Sequence, residues 1–396
     1  MQFAERMSRL GTESAFEVLA RARALEAQGK HVVHLEIGEP DFDTPAHIVE
    51  AGIAALRAGE THYTPAAGIP QLREAIAEYT SRTRGVELGL ERVVVTPGAK
   101  PIMFFVIQAL AGPGDEVVFP DPGFPIYESV INYSGATAVP LRLGEEQGFS
   151  FAPDELAGLV SERTKLVIIN SPHNPTGGAI SGAALDELAR LANLHDFMVL
   201  SDEIYSRMLY DGVHESIITR PGMVERTIIL DGFSKTYAMT GWRLGYGVMP
   251  LELAEQVTRL AVNCNSCVPA FTQLAGVAAL TGPQEPAETM VAEFRRRRDA
   301  VVAGLNEIPG VSCLSPAGAF YVFPNVSSFG RPASEIADRL LNEGGVALLG
   351  GAAFGAAGEG YLRLSYANSL ANIELALERI SDTLAGVRES GTGVRG

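Results

Sequence analysis

Between residues 90 and 250 short apolar runs alternate with amphipathic stretches. The runs are Val93-Val94-Val95-Thr96, Glu116-Val117-Val118-Phe119, Lys165-Leu166-Val167-Ile168-Ile169, Phe197-Met198-Val199-Leu200 and Thr227-Ile228-Ile229-Leu230. Their apolar residues are consecutive instead of alternating, so both faces of each strand need cover, as in a mostly parallel sheet of an α/β domain. The stretches between them read as helices, and Gly182 to His195 places Leu185, Leu188, Ala189 and Ala192 on one face. The flanks differ. Phe16 to Gly29 reads as a helix closed by a glycine, followed by a strand from His31 to Ile37 and the turn-rich Gly38-Glu39-Pro40-Asp41-Phe42-Asp43-Thr44-Pro45. Beyond Pro286 a long amphipathic helix, Ala287 to Leu305, runs into Pro309-Gly310, and strand-like and helix-like pieces then alternate. The glycine-rich tail, 391–396, is expected to fray.

Length and composition narrow the function. A chain of 396 residues is long enough for two or three domains. With 31 Lys and Arg against 47 Asp and Glu the net charge is −16, which argues against nucleic-acid and membrane-surface partners. Three cysteines cannot build a disulfide framework, and the Cys264/Cys267 C-x-x-C spacing lacks the second pair of a zinc site. His31 and His34, three apart on a strand, point to opposite faces, so no metal is expected. Met1 to Leu10 lacks the apolar core of a signal peptide, and the most apolar stretch, Ile102 to Ala111, is about half of the ~20 residues a bilayer needs. A cytoplasmic location is therefore expected. The basic run Arg295-Arg296-Arg297-Arg298 fans around its helix and reads as a solvated face with some internal pairs. Walker A, G-x-S-x-G and H-E-x-x-H motifs are absent, and Gly350 to Gly355 lacks dinucleotide-fingerprint spacing.

Chemistry gathers at the strand ends. Asn170-Ser171-Pro172-His173-Asn174-Pro175-Thr176-Gly177 follows one strand, Asp202-Glu203-Ile204-Tyr205 the next, and Asp231-Gly232-Phe233-Ser234-Lys235 the next, with Arg243 shortly after. Ligands in α/β sheets bind beyond the carboxyl ends of the strands. An amide, a carboxylate, a phenol, an amine and a guanidinium on one rim suit a phosphorylated aromatic aldehyde with a basic ring nitrogen, which is pyridoxal 5'-phosphate.

Six motifs in order extend this reading: Gly38-Glu39-Pro40-Asp41-Phe42, Tyr63 with Gly68 and Leu72-Arg73-Glu74-Ala75, Asn174-Pro175-Thr176-Gly177, Asp202-Glu203-Ile204-Tyr205, Ser234-Lys235 with Gly241-Trp242-Arg243, and Arg363-Leu364-Ser365-Tyr366. On these the chain resembles, from about Ser14 to Leu384, the class I aminotransferases of the fold type I pyridoxal-phosphate enzymes, in the aspartate, aromatic and alanine aminotransferase-like subgroup. The resemblance implies a large cofactor-binding domain, 46–285, and a smaller discontinuous α+β domain, 1–45 and 286–396. It makes Lys235 the Schiff-base lysine, with Arg243 and the cofactor's ring lowering its pKa, and pairs Asp202 with the ring nitrogen. Asn174 and Tyr205 are placed on the phenolic oxygen, and Phe124 is stacked on the ring. The phosphate falls to Ser234, Arg243 and the Gly98-Ala99-Lys100 turn, whose N–H groups open a helix. Tyr63 is expected to reach the phosphate of a neighbouring subunit in a homodimer. Arg363 and the Gly38 backbone are expected to take the substrate's α-carboxylate, with Asn174 also touching substrate.

The implied activity is amino-group transfer between an L-amino acid and a 2-oxo acid in amino acid metabolism. Lys100 favours aspartate or glutamate, while Phe16, Phe320 and Tyr321 would suit aromatic or aliphatic side chains if they line the pocket. A C–S lyase or decarboxylase on the same fold shares every cofactor contact, and a non-catalytic sensor is the rival of another class. Three positions depart from the common pattern: Gly232 three residues before the lysine, Gly350-Gly351 in place of Pro-Gly, and Gly123 in place of a second aromatic. The first implies one phosphate hydroxyl fewer.

Overall fold

The structure, a computed structural model, describes residues 1–392. Its centre is a seven-stranded sheet built from β2 (Val93–Thr96), β3 (Glu116–Asp121), β4 (Thr137–Arg142), β5 (Thr164–Asn170), β6 (Met198–Asp202), β7 (Thr227–Gly232) and β8 (Gly245–Val248). The spatial order is β2-β8-β7-β6-β5-β3-β4, and β8 alone runs against its neighbours. Six strands thus present their carboxyl ends to one edge. The consecutive apolar runs are explained by their cover: Leu166 and Ile168 face one buried cluster with Ile102, Val106 and Val257, while Val167 and Ile169 face another with Leu185, Leu188 and Ala192. Helices Lys100–Leu110 and Gly182–His195 lie in these layers, the second opened by the Ser181 hydroxyl accepting from the Ala184 amide at 3.2 Å.

The two ends of the chain meet. β1 (Val33–His34) pairs in parallel with β10 (Val346–Ala347), and β12 (Leu362–Ser365) lies between β9 (Tyr321–Val322) and β11 (Leu349–Gly350). Val33, Leu35, Phe294, Phe320, Leu362 and Leu364 share one core, which continues into Ile204, Tyr205 and Met208 beyond β6.

Several elements differ from expectation. The strand expected over His31 to Ile37 shrinks to two residues laddered with β10, although the Leu35 amide still donates to the Ala347 carbonyl at 2.9 Å and the Leu35 carbonyl accepts the Ser365 amide at 2.8 Å. The first helix is Ser14–Glu26 and the long helix Glu285–Glu307. β4 and β8 were not expected. Arg295 to Arg298 do fan out, each onto a carboxylate, but Arg297 and Arg298 are buried instead of solvated, on Asp41 and on Asp211 and Asp299. The final helix, Leu370–Thr392, takes in Gly391, and the rest of the expected frayed tail, 393–396, lies outside the described residues. Among the described residues no helix is long and apolar enough to cross a membrane, and no group of three His, Cys, Asp or Glu is placed to hold a metal.

Candidate active site

A cavity of about 390 Å³ opens where the carboxyl edge of the sheet meets the joined chain ends. Gly38, Ala99, Lys100, Phe124, Asn174, Asp202, Tyr205, Ser234, Lys235, Arg243 and Arg363 all line it. Two expected positions do not. Gly98 sits just behind the wall, where a Cβ would meet Arg243 Nη2 at 2.1 Å. Tyr63 is 93 % exposed and outside the cavity of its own chain.

Lys235 follows β7, and its ammonium donates to the Gly38 carbonyl, so one bond joins the central sheet to the amino-terminal flank. Its pKa falls from 10.5 to about 8. Burial is the leading cause, Arg363 and Arg243 add to it, and Glu39 opposes it. Asp202 ends β6 and is buried; Oδ2 accepts the Tyr127 hydroxyl at 2.6 Å and Oδ1 the Ile204 amide at 3.3 Å. Burial pushes its carboxyl up to about 6. Asn170, at the end of β5, ties the two neighbouring turns together: its Nδ2 donates to the Asp202 carbonyl at 2.9 Å and its Oδ1 accepts the Asn174 amide at 2.8 Å. The Tyr205 hydroxyl pairs with that of Tyr321 at 2.8 Å.

Arg363 enters from β12 and is buried between the Tyr321 and Phe354 rings, 4.8 and 5.1 Å from their centroids. Its Nη2 donates to the Glu36 carbonyl, and its Nε is buried without a partner. Burial lowers its pKa, yet a guanidinium keeps its charge. Gly38 must be glycine here, since a Cβ would lie 2.1 Å from the Tyr321 hydroxyl.

The anion end is built from backbone. Gly98 takes φ +84° and Ala99 caps the helix Lys100–Leu110; Pro101 has no N–H and the Ile102 amide turns back to the Ala99 carbonyl at 3.0 Å, so the amides of Ala99 and Lys100 are the ones placed for an anion. Arg243, itself at φ +52°, donates to the Thr240 carbonyl at 2.9 Å and the Pro97 carbonyl at 3.3 Å, so it is anchored to that turn. Phe124 packs edge-on against Tyr127 at 5.6 Å.

The departures have packing reasons. Gly232 pairs with Gly245 across β7 and β8, and a Cβ on it would come within 3.0 Å of the Gly245 Cα. At Gly123 a Cβ would lie 2.1 Å from the Pro120 carbonyl. Of the three candidate side-chain walls, Phe16 and Tyr321 line the cavity, whereas Phe320 is fully buried and stacks on Phe294 at 5.2 Å. Tyr127, Asn170 and Glu13 also line the cavity, and the sequence assigns none of them a role. Asn170 had a signal, its place at a strand end. Tyr127 and Glu13 had none, because their partners, Asp202 and Lys100, are brought to them only by the fold.

These residues fit pyridoxal 5'-phosphate on their own chemistry. Asn174 Oδ1 is buried without a partner at the cavity wall, beside a buried carboxylate suited to a ring cation, a depressed lysine and an anion cradle. So furnished, at the carboxyl edge of such a sheet, the cavity marks a pyridoxal-phosphate enzyme of fold type I.

Comparison with known proteins narrows this class. A family model described as aminotransferase class I and II matches residues 30–380. The arginine–pyruvate transaminase AruH of Pseudomonas aeruginosa is 40 % identical over 93 % of this chain and 94 % of its own length. An aspartate aminotransferase of Pyrococcus horikoshii is 39 % identical over 97 % of both chains. The solved aspartate aminotransferase from Thermus thermophilus with maleate superposes with a TM-score of 0.92 at 38 % identity, covering 97 % of this chain and 100 % of that one. The chain belongs to the class I and II aminotransferase family: it is a pyridoxal-phosphate-dependent enzyme that transfers amino groups.

Proposed function

We propose that Lys235, Asp202 and Arg363 form the working centre of an L-amino acid:2-oxo acid aminotransferase. The observation that carries this is a lysine of pKa about 8 sharing one cavity with a buried aspartate and a buried, incompletely bonded arginine. When bound, pyridoxal 5'-phosphate supplies the electrophilic carbon and the electron sink. Asp202 would hold its ring nitrogen, Asn174 and Tyr205 its phenolic oxygen, and Phe124 its face. Ser234, Arg243 and the backbone of Gly98, Ala99 and Lys100 would hold its phosphate. Arg363 grips the α-carboxylate, the Gly38 backbone adds a second contact, and Asn174 also touches substrate. Near neutral pH a lysine of pKa about 8 is partly uncharged, so the Lys235 amine can take the substrate's Cα proton and return it.

Lys100 is the cation within reach of an acidic side chain, which favours aspartate or glutamate, while Phe16 and Tyr321 offer apolar walls to aromatic or aliphatic ones. The relatives' names, aspartate aminotransferase and arginine–pyruvate transaminase, span an acidic and a basic donor. The working form is a cytoplasmic homodimer in which Tyr63 reaches the neighbouring site. The unit 1–45 and 286–396 closes over the large domain, 46–285, once substrate is bound. The test is a panel of amino donors with 2-oxoglutarate, scored for glutamate and for ammonia. Stoichiometric glutamate without ammonia, abolished in Lys235→Ala, is expected; ammonia release instead would mean a lyase.

A further inference from the structure

Arg363, Lys235 and Arg243 have work in the reaction just described, which leaves one cation in the cavity wall, Lys100. Its amine is not free. It forms an ion pair with Glu13, a carboxylate that also lines the cavity, and rests 5.1 Å over the Phe124 ring. Glu13 caps the helix Ser14–Glu26, whose one fully buried residue is Ala22, and every residue from 1 to 12 is exposed. Gly11 donates its amide to the Ser129 hydroxyl at 2.8 Å and Arg6 lies 5.8 Å from the Tyr133 ring, contacts that tie this approach to the helix beside the cavity. Glu13 is therefore a carboxylate on a lightly packed element, facing the cation that a substrate's own distal carboxylate would seek.

We infer that Glu13 is an internal counter-ion that competes with the substrate for Lys100 and thereby sets the balance between dicarboxylic and neutral donors. This rests on the reading that Arg363 takes the α-carboxylate. A neutral side chain meets a pair already neutralised and leaves it intact. A dicarboxylic donor must first eject Glu13, exchanging one carboxylate for another, so much of the attraction it would gain from Lys100 is spent on the displacement. The preference is set by a residue of the exposed amino-terminal flank instead of by the cofactor cradle.

The test compares succinate with butyrate, which share one carboxylate and differ in the second, by calorimetric titration of the holoenzyme. Glu13→Gln should raise the succinate-to-butyrate affinity ratio about fivefold, the size expected of a partly exposed charge pair. The double variant Glu13→Gln, Lys100→Met should lose that gain. An unchanged ratio in Glu13→Gln, or a gain that survives in the double variant, overturns the inference. Arg363→Lys should weaken both ligands alike; if it weakens neither, the assignment of the α-carboxylate fails, a distinct result from failure of the Glu13 gate.

Discussion

The proton affinity of Lys235 makes its burial measurable without turnover. Below about pH 8 both folded and unfolded chains carry the proton; between about 8 and the ordinary 10.5 only the unfolded chain binds it. Stability contributed by this residue must therefore rise with pH across that window. In cofactor-free protein, Lys235→Met should be more stable than the wild type near pH 7, with the gap closing toward pH 10.5. Urea midpoints at intervals of pH check this, and a constant gap would contradict it. At this scale the sequence was informative where function sits on strand ends: Asn174, Asp202 and Lys235 each come soon after an apolar run. It was silent where a side chain acts through a remote partner. Tyr127 holds Asp202 from 75 residues away, and Glu13 holds Lys100 from 87, distances across which no local pattern carries information.

Among the elements, those buried on both faces were legible because burial leaves unbroken apolar runs, and Gly182–His195 was legible from its period alone. β4 was not, since its pattern is largely exposed, and β8 was not, since Gly245-Tyr246-Gly247-Val248 offers two glycines where a strand prefers branched side chains. Those glycines have a reason in the packing. A Cβ on Gly245 would stand 2.3 Å from the Ala99 amide nitrogen and 2.5 Å from the Gly98 carbonyl carbon, both backbone atoms that cannot swing aside. Gly245→Ala should therefore destabilise the protein by about 1–3 kcal/mol, as overpacking does. It should also weaken phosphate-dependent cofactor binding, since the displaced turn is the one proposed to hold the phosphate. Denaturant titration and a cofactor titration measure the two effects; loss of stability with unaltered cofactor affinity would detach the cradle from that turn.

For the whole molecule, a chain of net charge −16 concentrates Lys100, Lys235, Arg243 and Arg363 around one cavity, so an acidic exterior coexists with a site built for anions. Tyr63, fully out in solvent on the single chain, gains a purpose only if a second copy faces it. Coexpressing Tyr63→Ala with Lys235→Ala subunits should recover activity that neither homodimer has, because one of the two mixed sites then holds both residues; no recovery would place Tyr63 outside the neighbour's site. The pairing of Val33 and His34 with Val346 and Ala347 has a further consequence, for the order in which the protein is made. A ribosome releases the first strand more than three hundred positions before its partner exists, while every strand of the central sheet is available once Val248 has emerged. The strands proposed to carry the cofactor's contacts are thus complete well before Arg363, the residue proposed to take the substrate's α-carboxylate, has been made.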